Sequence, residues 1–94
     1  MLIWDAVKDP DEVKDYQIDW TDALNGAKIA TSIWEIVSGS GLTIDSDSHT
    51  DYVSTIWLSD GVADRDYLLL NRITDDGVPS RTLDQTVKLF LRNK

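Results

Sequence analysis

Val13-Lys14-Asp15-Tyr16-Gln17-Ile18-Asp19-Trp20 is the stretch on which the reading of this 94-residue chain turns. Side chains on an extended strand alternate between its two faces. Tyr16, Ile18 and Trp20 therefore share one side, and Asp15, Gln17 and Asp19 share the other. That is a half-buried β-strand. The Thr21-Asp22-Ala23-Leu24-Asn25-Gly26 that follows reads as a turn, with Asn-Gly supplying positive φ at little steric cost.

The same alternation continues outward from this strand. Ala27 to Val37 is rich in β-branched residues and ends at the breaker Ser38-Gly39-Ser40-Gly41. As a strand it would turn Trp34 and Ile36 to the core and Ile29 and Ile33 away. A helix competes there, because Ile29, Ile33 and Ile36 also lie three and four residues apart. Leu42-Thr43-Ile44 begins a short strand that fades into a loop at Asp45 to Thr50. Residues 51 to 58 form another strand, as does the stretch from Asp66 to Thr74. The polar turn Asp75 to Ser80 then leads into a last strand, Arg81 to Arg92. Turn signals every 8 to 14 residues predict an all-β fold, an Ig-like antiparallel β-sandwich of six to seven strands. Residues 13–94 make up the sandwich. Residues 1–12 form an N-terminal arm or an edge strand, because Pro10 interrupts regular pairing.

Size and charge limit what such a domain does. A chain of 94 residues supports one core. It has no Cys, so neither disulfides nor thiolate chemistry are available. The sequence has neither a basic-then-apolar leader nor an apolar run of the roughly 18 residues that span a bilayer, which predicts a soluble protein. The formal net charge of −8 argues against nucleic-acid and anionic-membrane partners, which require clustered Lys and Arg. Residues 1–26 carry −5 and residues 27–80 carry −6, whereas residues 81–94 carry +3. The basic last strand should pair with an acidic neighbouring strand or with another subunit.

No residue constellation signals chemistry. His49, the one histidine, could formally join Asp45 or Asp47 in a serine triad, but no nucleophile motif accompanies it. Asp45-Ser46-Asp47-Ser48-His49-Thr50-Asp51 opens like a calcium loop. Thr50 then replaces the required Gly, and Ile56 the bidentate Glu. No catalytic, metal or cofactor site is expected. Trp20, Trp34 and Trp57 read as core residues. Trp4 is either folded back on the sandwich or an interface anchor. Tyr67, after a corner loop, stands where a tyrosine-corner hydroxyl would tie back to the backbone.

Several of these motifs come in a familiar order. Lys8-Asp9-Pro10-Asp11-Glu12-Val13 precedes Asp15-Tyr16-Gln17-Ile18-Asp19-Trp20, then Ile29-Ala30-Thr31-Ser32-Ile33-Trp34 and Gly41-Leu42-Thr43-Ile44. Trp57-Leu58-Ser59-Asp60-Gly61, Tyr67 and Asn71-Arg72-Ile73-Thr74-Asp75-Asp76-Gly77 complete the set. From residue 8 to 91 the chain resembles the fiber-tail adaptors of tailed bacteriophages and prophages. It departs at Asp60-Gly61, where a Gly-Gly pair is expected, and at Val78-Pro79, which lengthens the last hairpin. The resemblance implies a non-enzymatic, Ig-like virion protein, made in the bacterial host cytoplasm. It would join tail, neck, fiber or capsid proteins and be present in multiple copies in a symmetric assembly. Capsid decoration and acidic DNA mimicry against a host enzyme are the alternatives. The expected partner contacts are those the core explains least: Leu2, Ile3, Trp4, Lys8, Asp9 and Pro10 in the arm, and His49, Asp75 and Asp76 in loops.

Overall fold

The computed structural model describes residues 2–4, 12–62 and 64–91. Its strands are β1 (Leu2–Trp4), β2 (Lys14–Asp19), β3 (Ile29–Ser38), β4 (Leu42–His49), β5 (Val53–Asp60), β6 (Asp66–Asp75) and β7 (Thr82–Phe90), with one helical turn, α1 (Thr21–Leu24). They form a four-stranded sheet in the order β1-β7-β6-β3 and a three-stranded sheet in the order β2-β5-β4. Pairing is antiparallel except between β1 and β7. The two inner faces pack as an Ig-like sandwich, as the turn spacing predicts.

Alternation determines which side chains meet between the sheets. On β2, Tyr16 and Ile18 are buried and Asp15, Gln17 and Asp19 are exposed, and Trp20 follows them inward. Tyr67, Leu69, Asn71 and Ile73 point inward from β6, and Val87 and Leu89 from β7, with Leu91 beyond its end. The run Leu68-Leu69-Leu70 is thus not uniformly buried, because Leu68 and Leu70 lie on the outer face.

Four expectations need correction. Residues 29 to 38 form a strand and not the competing helix, but Ile29 is buried while Ile33 is 60% exposed. A bulge between Ile29 and Thr31 adds one residue and reverses the phase. The turn after Trp20 contains α1, closed by Asn25 in the left-handed region at φ 49°. β4 continues to His49, with a bulge between Ile44 and Ser46. As an edge strand it is held by backbone bonds to β5 and can keep polar side chains. Trp57 is 40% exposed, because the inward set of β5 is Ser54, Ile56 and Leu58.

Two devices link the layers. Trp20 Nε1 donates to Ser54 Oγ at 3.1 Å and to Asn71 Oδ1 at 3.0 Å. Asn71 Oδ1 also accepts from Ser54 Oγ at 2.6 Å, and its Nδ2 donates to Ser32 Oγ at 3.0 Å and to the Ile33 carbonyl at 2.9 Å. This clasp ties β5 to β6 and β3. The second device is the predicted tyrosine corner. Tyr67 Oη donates to the Ser40 carbonyl at 2.8 Å and accepts from Val62 N–H at 2.9 Å. Its ring lies on Gly39, whose φ is +106° and where a Cβ would sit 2.4 Å from Tyr67 Cδ1. Glycine alone satisfies both constraints.

Candidate functional site

Strand direction sorts the expected contact residues into two groups at opposite poles of the sandwich. β4 ends and β5 begins at one pole, where β6 also turns into β7 and α1 leads into β3. His49, Asp75 and Asp76 meet there. β1 runs parallel to β7 and places Trp4 beside Leu89, toward the other pole. Lys8, Asp9 and Pro10 lie outside the described residues.

The first pole is a cross-linked loop platform. Ile29 N–H donates to the Asp51 carbonyl at 2.8 Å, and Asp76 N–H donates to the Lys28 carbonyl at 2.9 Å. Asp76 Oδ1 accepts in return from Lys28 N–H at 3.0 Å. Lys28 Nζ reaches Asp51 Oδ2 at 3.8 Å. Asp75 is not displayed on this surface, as a contact residue should be, but buried at 3% exposure. Its Oδ1 accepts from Gly77 N–H at 3.1 Å and from Arg81 N–H at 2.8 Å, and its Oδ2 from Arg81 Nε at 2.7 Å. Those bonds, led by the Arg81 backbone and then its side chain, hold the Asp75 carboxyl below its ordinary value of 3.8. Arg81 Nη2 goes on to the Leu24 carbonyl at 2.7 Å, which satisfies a carbonyl at the end of α1. Asp75 therefore organises the platform and Asp76 helps to frame it.

The platform presents an exposed set of side chains. Val78, at the tip of the β6–β7 hairpin, is 100% exposed, and Tyr52 is 39% exposed. His49 is exposed, and its Nδ1 lies 2.9 Å from the Thr50 carbonyl. A triad would require a carboxylate at that nitrogen. Asp45 and Asp47 stand on β4 and not in a calcium-type loop. Tyr52 was missed because it reads as part of the strand over residues 51 to 58, and Val78 because the turn that holds it was represented by its acidic residues alone. The signal was present, since a Val preceding Pro within a polar turn has no strand partner to pack on.

At the other group, Trp4 lies against the core. Its ring stacks on Tyr16 with centroids 4.9 Å apart and planes at 17°, and it tilts toward Trp34 at 6.0 Å. Ile3 points the opposite way and is 57% exposed. Tyr16 Oη and Trp34 Nε1 are buried there without hydrogen-bond partners. Burial first, and then the charges of Glu12 and Asp15, push the Tyr16 hydroxyl from 10.0 up to about 12. A cleft of about 230 Å³ near the tyrosine corner is lined by Gly39, Ser40, Val62, Arg65, Asp66 and Tyr67. It contains no catalytic constellation, and among the described residues no cluster of His, Asp and Glu has metal-holding geometry.

Comparison with known proteins bears on fold and family separately. Over 85% of this chain and 72% of its own, the solution structure of the PKD domain from KIAA 1837 protein superposes with a TM-score of 0.51 at 16% identity. That likeness concerns the fold alone. No curated protein matches the chain in sequence. A family model matches residues 8–90, which include β2 to β7 and so nearly all the motifs quoted above. Membership implies binding to other phage tail or fiber proteins, and it supports neither capsid decoration nor DNA mimicry. The chain belongs to the family described as podophage GP4 fiber-tail adaptor protein gp77.

Proposed function

We infer that this protein is a non-enzymatic adaptor that attaches a fiber to the tail of a podophage particle, in several copies set by the symmetry of the tail. The observation that carries this reading is the adaptor-family match over residues 8–90. The geometry fits a connector, because contact residues at opposite poles let one domain hold two proteins at once. The loop platform with His49, Tyr52, Asp76 and Val78 takes one partner. The arm with Leu2, Ile3, Lys8, Asp9 and Pro10 takes the other, and Trp4 fastens it to the sandwich. An exposed apolar tip on a rigid hairpin loses little conformational entropy on docking, which suits it as an anchor. The protein is made in the host cytoplasm and functions in the virion.

Cross-linking mass spectrometry of purified particles tests this. Cross-links from Lys28 to one component and from Lys8 or the N-terminus to a second, with one a tail and the other a fiber protein, are the expected result. A particle without this protein, or cross-links confined to capsid subunits, overturns the proposal.

A further inference from the structure

The outer face of the four-stranded sheet has a pattern unlike the rest of this acidic surface. Ile33 on β3 is 60% exposed, and Leu68, Leu70 and Phe90 are part-exposed. Register places them in an oblique line. Phe90 lies opposite Asp66, one outward position before Leu68, and Ile33 lies opposite Arg72, one outward position after Leu70. The apolar line thus crosses from β7 through β6 to β3. Its flanks differ in sign. On the β7 side, Lys88 is opposite Leu68 and Arg72 is opposite Ile33, with Asp84 farther out beside Arg72. On the β3 side, Asp66 is opposite Phe90 and Glu35 is opposite Leu70.

A pattern with an apolar axis, cations on one flank and carboxylates on the other is complementary to itself. A second copy turned by a two-fold axis along the line meets apolar with apolar. The same rotation sets Lys88 and Arg72 over the Asp66 and Glu35 of the other copy. Each cation already holds one carboxylate in its own chain, Arg72 with Asp84 at 2.8 Å and Lys88 with Asp66 at 3.8 Å, and the Lys88 ammonium also lies over the Phe90 ring at 5.1 Å from its centroid. The guanidinium and ammonium have further N–H donors to give. The outer face of the three-stranded sheet offers no such match. Asp15 and Asp19 flank its exposed Trp57 and half-buried Val53 in register, with no cation among the described residues facing outward beside them. On a chain of net charge −8 that face repels its own kind.

We propose that the outer face of β3, β6 and β7 is a self-association surface that takes a second copy of this chain, face to face about a two-fold axis. Strands about 4.8 Å apart give this patch an area on the order of 500 Å² per copy. A standard interface buries about 800 Å² per partner. The contact is therefore weak and reversible for the free protein, and it is reinforced where a particle holds copies side by side. This inference concerns the isolated chain and stands apart from the adaptor role, so each can fail alone.

Sedimentation equilibrium and amide chemical shifts of the isolated protein, followed from micromolar to millimolar concentration, test it. A monomer–dimer equilibrium is expected, with concentration-dependent shifts confined to β3, β6 and β7. Ile33→Glu, at an exposed position that leaves the core untouched, should weaken dimerisation by at least about tenfold, the loss expected when a charge replaces a buried aliphatic side chain. Asp66→Lys should abolish dimerisation, and Asp66→Lys with Lys88→Asp should restore it, because the exchange preserves both the internal and the cross-copy pairs. A monomer up to millimolar concentration, shifts on β2, β4 and β5, or an unaffected Ile33→Glu variant overturns the proposal.

Discussion

Replacing Asn71 by Leu removes the centre of the polar clasp while nearly conserving side-chain volume, so the loss falls on hydrogen bonds and not on packing. Asn71 and Ser54 are both at 0% exposure. With Asn71 gone, the Ser54 hydroxyl still accepts from Trp20 Nε1 at 3.1 Å, but its own hydrogen loses the acceptor it had at 2.6 Å. Ser32 Oγ and the Ile33 carbonyl lose a donor too, although their strand is at a sheet edge and water can reach them. A stranded buried donor costs about 1 to 3 kcal/mol, and the two half-buried acceptors raise the expected total to about 2 to 4 kcal/mol. Set against a stability of about 5 to 14 kcal/mol for this length, that is a large fraction. It corresponds to a fall in Tm of roughly 10 to 25 °C. Urea unfolding should be followed by far-UV circular dichroism, because Trp20 fluorescence would report the local change directly. Ser54→Ala, which leaves the Trp20–Asn71 bond in place, should cost less. If Asn71→Leu lies within about 0.5 kcal/mol of the parent, or Ser54→Ala is the more damaging of the two, the clasp does not hold the layers together as argued.

Other outcomes follow from the same structure. Tyr67→Phe strands the Val62 N–H and the Ser40 carbonyl and should destabilise by about 1 to 2 kcal/mol in the same urea assay. Gly39→Ala, which brings a Cβ to 2.4 Å from the Tyr67 ring, should be more damaging than Gly26→Ala. At Gly26 φ is also positive, at +92°, but nothing lies within 4 Å. Equal effects would refute the close-packing account. The depressed carboxyl of Asp75 contributes stability above its ordinary value of 3.8, and this contribution is lost as pH falls through its folded value. Asp75→Asn should therefore flatten the acid limb of a Tm–pH profile, and an unchanged limb would contradict the platform geometry. The raised Tyr16 hydroxyl works in the opposite direction. Its contribution is complete below pH 10.0 and is lost as pH rises toward about 12. A phenolate absorbance titration should show a late component that Tyr16→Phe removes.

Much of this domain could be read from local pattern. Tyr16, Ile18 and Trp20 on one side of β2, and Val87, Leu89 and Leu91 along the last strand, declare their faces because alternation is a property of the extended backbone itself. The tyrosine corner was legible at Tyr67 for a related reason, since its place after a corner loop follows from chain order. Motif order likewise pointed to the adaptor family. Where the phase changes, pattern misleads. The bulge after Ile29 and the inward set of β5, which leaves Trp57 outside, depend on the partner strand and its register, and no local propensity encodes these. The candidate site was less legible than the fold. Asp75 has the composition of a solvated turn, yet its carboxylate is consumed by Arg81, six residues on, and only the closed hairpin brings the two together.

Sequence alone therefore determined an all-β sandwich of six to seven strands, its alternating faces set by backbone geometry, together with its acidity and its family. Tertiary structure alone decided that His49, Tyr52, Asp76 and Val78 share one pole, that Trp4 packs on Tyr16, and that an apolar line with oppositely charged flanks crosses β7, β6 and β3. Each of these results from strands distant in the chain being held in register by backbone hydrogen bonds. Register is a relation between segments, and it comes into being only when the sheets form.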